Sequence, residues 1–158
     1  MAAEPEGTGS QASPDKLSVV VFSGDFHRIH YALAMAAAAA AVNRPVTLFF
    51  TMGAIRALGK AAPGGAPGWH DTPVTPGIAD GCATAEAADG QFASRGIASF
   101  DELLSACISF EVKFMVCEMG LRAVDMTVAD LRRDITYTEG GIVSFLADAS
   151  NHGATILV

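Results

Sequence analysis

Short apolar runs closed by glycine, aspartate or proline alternate with alanine-rich or amphipathic segments along most of this chain. Leu17–Phe22 (LSVVVF) stops at Ser23-Gly24-Asp25. A Val-rich run ending in turn residues predicts a strand buried on both faces. The next segment, Phe26–Val42, predicts a helix closed by Asn43 and Pro45. Its Ala34–Ala41 stretch, interrupted by Met35, has high helix propensity and little side-chain bulk, so another backbone can approach it closely. Val46–Thr51 (VTLFFT) predicts a second strand, with Met52-Gly53 as its turn and a short helix at Ala54–Leu58. Ser99-Phe-Asp-Glu102 is a capping box, after which Leu103, Leu104, Cys107 and Ile108 recur at helical spacing. Val112–Cys117 (VKFMVC) is a third strand, followed by a helical start at Glu118–Val124 and a short helix near Val128–Arg132. Ile135–Tyr137 predicts a short fourth strand, and Glu139-Gly140-Gly141 opens a helix through Ala149. That helix stops at Asn151-His152-Gly153, and Ala154–Val158 is a fifth strand.

Strands separated by helices pair in parallel through right-handed crossovers, so the pattern predicts an α/β fold: a single-domain, three-layer α/β/α sandwich with a five-stranded parallel sheet. Two regions fall outside it. Residues 1–16, rich in Gly, Pro, Ser and Glu, predict a disordered tail before a domain spanning 17–158. From Lys60 to Gly96, seven glycines and four prolines interrupt every periodic run. A structureless insertion of that length is improbable in a compact domain, so short helical pieces, mobility or a lid over a site is expected.

Composition narrows the function classes. Of 158 residues, 51% are hydrophobic and 17% charged, which excludes a wholly disordered chain. Ten Lys+Arg against seventeen Asp+Glu leave a net charge of −7, so nothing here is suited to neutralising a phosphate backbone and nucleic acid is not an expected partner. The longest apolar stretch, Ile29–Val42, is too short to span a bilayer, and the N-terminus lacks the pattern of a secretory signal. Three cysteines without a C-x-x-C pair fit a reducing compartment, so a cytoplasmic location is expected.

In an open parallel sheet, ligands bind at loops beyond the carboxyl ends of the strands. Those loops hold Ser23, Gly24 and Asp25; Thr51 and Gly53; Cys117, Glu118 and Met119; and Gly140 and Gly141. Cys117 is the nucleophile among them. Where a strand hands over to a helix, a cysteine faces free amides that favour thiolate, an effect Glu118 opposes. The competing reading of Cys117 is an inert packed thiol. Cys107 lies on the apolar face of its helix and reads as core. Cys82, in the insertion, is a candidate resolving thiol or an incidental loop cysteine. Asp25 reads as a helix N-cap at the rim of the pocket. His27 and His30 lack the i, i+4 spacing of helical zinc sites, so no metal is expected, and the pair reads as one exposed and one packed imidazole. Cys117 to Arg122 is C-x4-R, one residue short of the phosphate-cradling C-x5-R loop, and neither G-x-G-x-x-G nor a P-loop is present. No cofactor is expected.

Val20-Val-Phe-Ser-Gly-Asp25, Val46-Thr-Leu-Phe-Phe-Thr-Met-Gly53, Lys113-Phe-Met-Val-Cys-Glu-Met-Gly-Leu-Arg-Ala123 and Gly140-Gly-Ile-Val-Ser-Phe-Leu146 together resemble the DsrE/DsrF-like sulfur-relay family. The resemblance implies homo-oligomers such as trimers or hexamers and a strand-end cysteine carrying a persulfide, which falls on Cys117. It therefore implies a sulfur carrier or sulfurtransferase whose partners are sulfur donor and acceptor proteins or small thiols. The alternative is a non-catalytic, oligomeric small-ligand-binding module of the same fold. The apolar composition and the Ala34–Ala41 surface independently predict a homo-oligomer.

Overall fold

The computed structural model describes residues 12–78 and 81–158. Five strands, β1 (Leu17–Val21), β2 (Val46–Phe50), β3 (Lys113–Cys117), β4 (Tyr137–Gly140) and β5 (Ala154–Leu157), form one sheet in the order β4-β3-β2-β1-β5. All four pairings are parallel. The helices are α1 (Phe26–Ala41), α2 (Ala85–Ser94), α3 (Phe100–Ser109), α4 (Glu118–Ala123) and α5 (Ile142–Asp148). The chain is thus a single-domain α/β protein whose parallel sheet is flanked by helices.

Strand order decides which face each helix covers. From β1 to β4 the chain steps steadily toward one edge, and right-handed crossovers put every connection of such a march on the same side. The step from β4 back to β5 runs the other way and carries α5 to the opposite side. Packing agrees: Val19, Leu48, Phe50, Phe114 and Val116 join a main core with α1 and α3, while Phe49, Met115 and Cys117 form a small second core with Phe145 of α5. The sheet is therefore thickly covered on one face and thinly on the other.

On the thick face, the alanines of α1 are used within the chain. Ala32, Leu33, Ala36, Ala37 and Ala39 are buried, and α3 lies against α1 closely enough for the Cys107 thiol to approach the Leu33 carbonyl at 3.5 Å. Burial pushes the Cys107 thiol up to about 12, which fits its role as core. The close approach expected at Ala34–Ala41 is thus made by α3.

The insertion contains short helical pieces, a 3₁₀ turn at Gly68–Asp71 and α2, whose N-cap Thr84 accepts a hydrogen bond from the Ala87 amide. Its Trp69 is buried and stacks on Phe100 with ring centroids 4.9 Å apart, and Ala85 and Ala88 are fully buried. An aromatic staple and two small residues thus bind this glycine-rich segment to the main core.

β4 starts later than expected. Ile135 is buried in the main core ahead of the strand, and Tyr137–Gly140 then pair with β3 at the edge of the sheet, where Thr138 and Glu139 are exposed. Glu139 and Gly140 are accordingly strand, and Gly141 is the N-cap of α5.

Of the expected N-terminal tail, residues 1–11 lie outside the described residues. Lys16 is anchored, its Nζ donating to a carboxylate oxygen of Asp148 at 2.7 Å. The same carboxylate accepts from Thr47 Oγ1 and Lys113 Nζ, each at 2.6 Å, so one acid at the end of α5 ties together β2, β3 and the segment entering β1.

Candidate functional site

The strand-end residues divide into two groups. At the end of β3, Cys117 pairs in register with Gly140 of β4 and is 1% exposed, packed with Phe49, Met115 and Phe145. The Phe49 and Phe145 rings stack with centroids 4.8 Å apart. Beside this cluster lies an almost wholly apolar cavity of about 330 Å³, lined by Phe22, Phe49, Thr51, Met119, Phe145 and Leu146 among others. Phe22, Met119 and Leu146 are exposed at its mouth. Glu118 is exposed and points its charge toward Arg122 one turn on, at 4.0 Å.

The second group surrounds the carboxyl ends of β1 and β5. β5 lies at the sheet edge beside β1, and the two strands run parallel. Asp25 caps α1, its Oδ1 accepting from the His27 amide at 2.9 Å and the Arg28 amide at 3.3 Å. Its Oδ2 accepts from Thr75 Oγ1 at 2.6 Å, and the Phe26 amide donates to the Pro73 carbonyl at 2.8 Å. Through these bonds the insertion covers the start of α1. A cavity of about 440 Å³ opens here between α1, the insertion, Phe92 of α2 and Val158.

Ser23 Oγ accepts from the Asp25 amide at 3.2 Å, and Gly24 meets Gly53 so closely that a Cβ on Gly24 would lie 3.1 Å from the Gly53 carbonyl. These glycines serve backbone-to-backbone packing between the two loops. A Cβ at Gly140 would stand 2.8 Å from Ser144 Cβ, so that glycine makes room for α5. A Cβ at Gly120 would fall 2.7 Å from the Met52 nitrogen, which lets α4 seat directly on the loop after β2. Cys82 packs against the main core and Cys117 in the second, so the sheet separates the two sulfurs.

Two expectations change in detail. His27 and His30 are both buried, at 7% and 5% exposure, because the insertion packs Phe92 edge-on against both rings. The insertion reaches the start of α1, and the residues lining the cavity beside Cys117 come from elsewhere. The aromatic pair over Cys117 was missed by sequence reasoning. Its signal was the odd-numbered register of β2 and β3, which puts Phe49, Met115 and Cys117 on one face. Among the described residues, no group of three or more His, Cys, Asp or Glu is placed to hold a metal. No helix among them is long and apolar enough to cross a membrane.

These features define the class: a five-stranded, all-parallel α/β protein with its candidate residues at the carboxyl edge of the sheet. No family model and no curated protein matches the chain. Solved structures share its fold. MTH1491 from Methanobacterium thermoautotrophicum, a protein of unknown function, superposes with a TM-score of 0.53 at 13% identity, covering 90% of this chain and 98% of its own. The ychN protein from E. coli gives a TM-score of 0.51 at 15% identity, covering 90% and 97%.

Proposed function

We propose that the protein is a cytoplasmic sulfur carrier or sulfurtransferase, in which Cys117 takes sulfur from a donor and hands it to an acceptor thiol. The observation that carries this reading is the position of Cys117, at the end of a central strand and packed with the aromatic pair that lines an apolar cavity. The resemblance of the Lys113–Ala123 and Gly140–Leu146 segments to the DsrE/DsrF-like family supports it.

The chemistry follows from sulfur exchange. The Cys117 thiolate attacks the outer sulfur of a donor persulfide; a new S–S bond forms, the donor's S–S bond breaks, and the donor leaves as a thiolate with the bonding pair. The acceptor thiolate then attacks the outer sulfur on Cys117, which departs as thiolate in turn. The second sulfur is soft and polarisable, which suits it to a cavity walled by aromatic rings and methionine. Because Cys117 is 1% exposed, access requires Met119 or α5 to move. α5 is seven residues long and is held to the sheet by buried Phe145, which puts it among the elements that open most readily.

That burial also favours one competing reading, in which Cys117 is inert wall and the cavity holds a small apolar ligand. Alkylation separates them. Sulfur carriage requires Cys117 to be alkylated in the folded protein, faster than Cys107; reaction of both only after unfolding supports the inert wall.

The thin face bears Phe22, Ile142, Val143, Leu146 and Leu157, all at least half exposed. A homo-oligomer, trimeric or hexameric, would cover this apolar surface. Light scattering at micromolar concentration should give a mass of three or more chains, lowered by Leu146→Glu; a monomer of 16.3 kDa contradicts the assembly.

A further inference from the structure

We propose that the segment entering β1 is a strap that holds α5 closed over Cys117, with Lys16 as its fastening, so that release of this segment governs access to the thiol. What the strap is for rests on the sulfur-carriage reading; that it holds α5 does not.

α5 has little of its own to hold it. It is seven residues long, its N-cap Gly141 supplies no side-chain cap, and Phe145 is its one buried residue. Glycines stand on both sides of the helix, Gly140-Gly141 before it and Gly153 after its turn, so the backbone can pivot at either end.

The segment before β1 supplies the second fastening, at the far end of the helix. Lys16 Nζ donates to the Asp148 carboxylate at 2.7 Å and to the Asp148 carbonyl at 2.6 Å, filling an acceptor that the last turn of a helix leaves open. One residue earlier, Asp15 Oδ2 accepts from Ser150 Oγ at 2.9 Å, and the Asp15 amide donates to the His152 carbonyl at 3.3 Å. The Lys16 carbonyl in turn accepts from the Ala154 amide at 2.8 Å, and a Cβ at Gly153 would stand 2.9 Å from that oxygen. Gly153 thus lets the segment lie directly on the turn. Two residues, Asp15 and Lys16, reach every second position from Asp148 to Ala154.

Placement makes these bonds a strap. α5 cannot carry Phe145 away from Cys117 as a body unless the bonds at its end break. The Lys16 and Asp148 side chains are only 17% and 16% exposed, so their charge-assisted bond is worth more than a surface pair. Residues 12–15 are exposed, so the segment can peel back as far as the first residue of β1 while the strands stay paired.

Lys16→Met removes the donor and keeps the length of the side chain. Hydrogen exchange at the Phe145 and Ala149 amides, which donate within the turns of α5, and alkylation of Cys117 in the folded protein should both rise by about tenfold. Lys16→Arg, which keeps the charge and the donors, should return both rates to those of the unaltered protein. Asp15→Ala, at an exposed position, should raise them by less. Leu104→Ala truncates the core of the other face, so it should lower global stability and leave Cys117 alkylation unchanged. None of these readouts involves sulfur transfer, so a protein that never loads sulfur can still show the strap, and a failed strap leaves sulfur loading to be judged separately. Unchanged Phe145 exchange in both Lys16→Met and Asp15→Ala, faster exchange without faster alkylation, no recovery in Lys16→Arg, or equal acceleration in Leu104→Ala would each overturn the proposal.

Discussion

Replacing Asp148 with alanine should lower the unfolding free energy by roughly 2–3 kcal/mol, the cost of stripping charge-assisted bonds from partly buried partners. The carboxylate receives Lys16 and Thr47 on one oxygen and Lys113 on the other. Thr47 is fully buried and would lose its acceptor, while Lys113 is 42% exposed in its side chain and would find water. Lys113→Ala should therefore cost much less than Asp148→Ala. Burial works against the Asp148 charge, but the bonds from Lys113, Lys16 and Thr47 together outweigh it and hold the carboxyl well below its ordinary value of 3.8. A carboxyl with a depressed folded-state value stabilises the fold above its unfolded value, and that contribution is lost as pH falls through 3.8 toward the folded value. Denaturant melts from pH 7 down to pH 3 should show this acid loss in the unaltered protein and a shallower one in Asp148→Asn. Equal slopes would show that another group governs the acid limb.

Phe145→Ala should expose Cys117. Phe145 is 3% exposed, stacks on Phe49 and fixes α5 over the second core, so its removal takes away both the ring covering the thiol and the fastening of the helix. Truncating a buried phenylalanine costs about 3–5 kcal/mol when the whole fold bears the loss. Here much of it should appear as local opening of α5, because α1 and α3 lie on the other face. Alkylation of Cys117 should then accelerate by about tenfold or more, as expected when local opening is favoured by at least 1.4 kcal/mol, while Cys107, fully buried between α1 and α3, stays protected. Acceleration at both cysteines would mean global destabilisation instead.

The parts of this molecule that were legible in the sequence are those whose local pattern and tertiary role coincide. β1, β2 and β3 are Val- and Phe-rich because both faces are buried, and Asp25 and Ser99 sit at helix starts as side-chain chemistry requires. β4 was misplaced because an edge strand has one partner and tolerates Thr138 and Glu139, whereas Ile135 is apolar for the sake of the core. The alanine run of α1 announced a close neighbour but not which one. The strand-end residues were legible as a set because strand ends follow from strand assignment. Their division into two cavities was not, since it depends on strand order, and on the insertion folding Trp69 and Phe92 onto the start of α1.

The most direct test of sulfur carriage is the mass of the peptide containing Cys117 after the folded protein has met a sulfane-sulfur donor and been freed of excess. Sulfur carriage predicts a gain of one sulfur atom on that peptide, removed by a small acceptor thiol, absent in Cys117→Ser and intact in Cys107→Ala. Sulfur that maps to Cys82 or Cys107, survives Cys117→Ser, or never appears on Cys117 would contradict it.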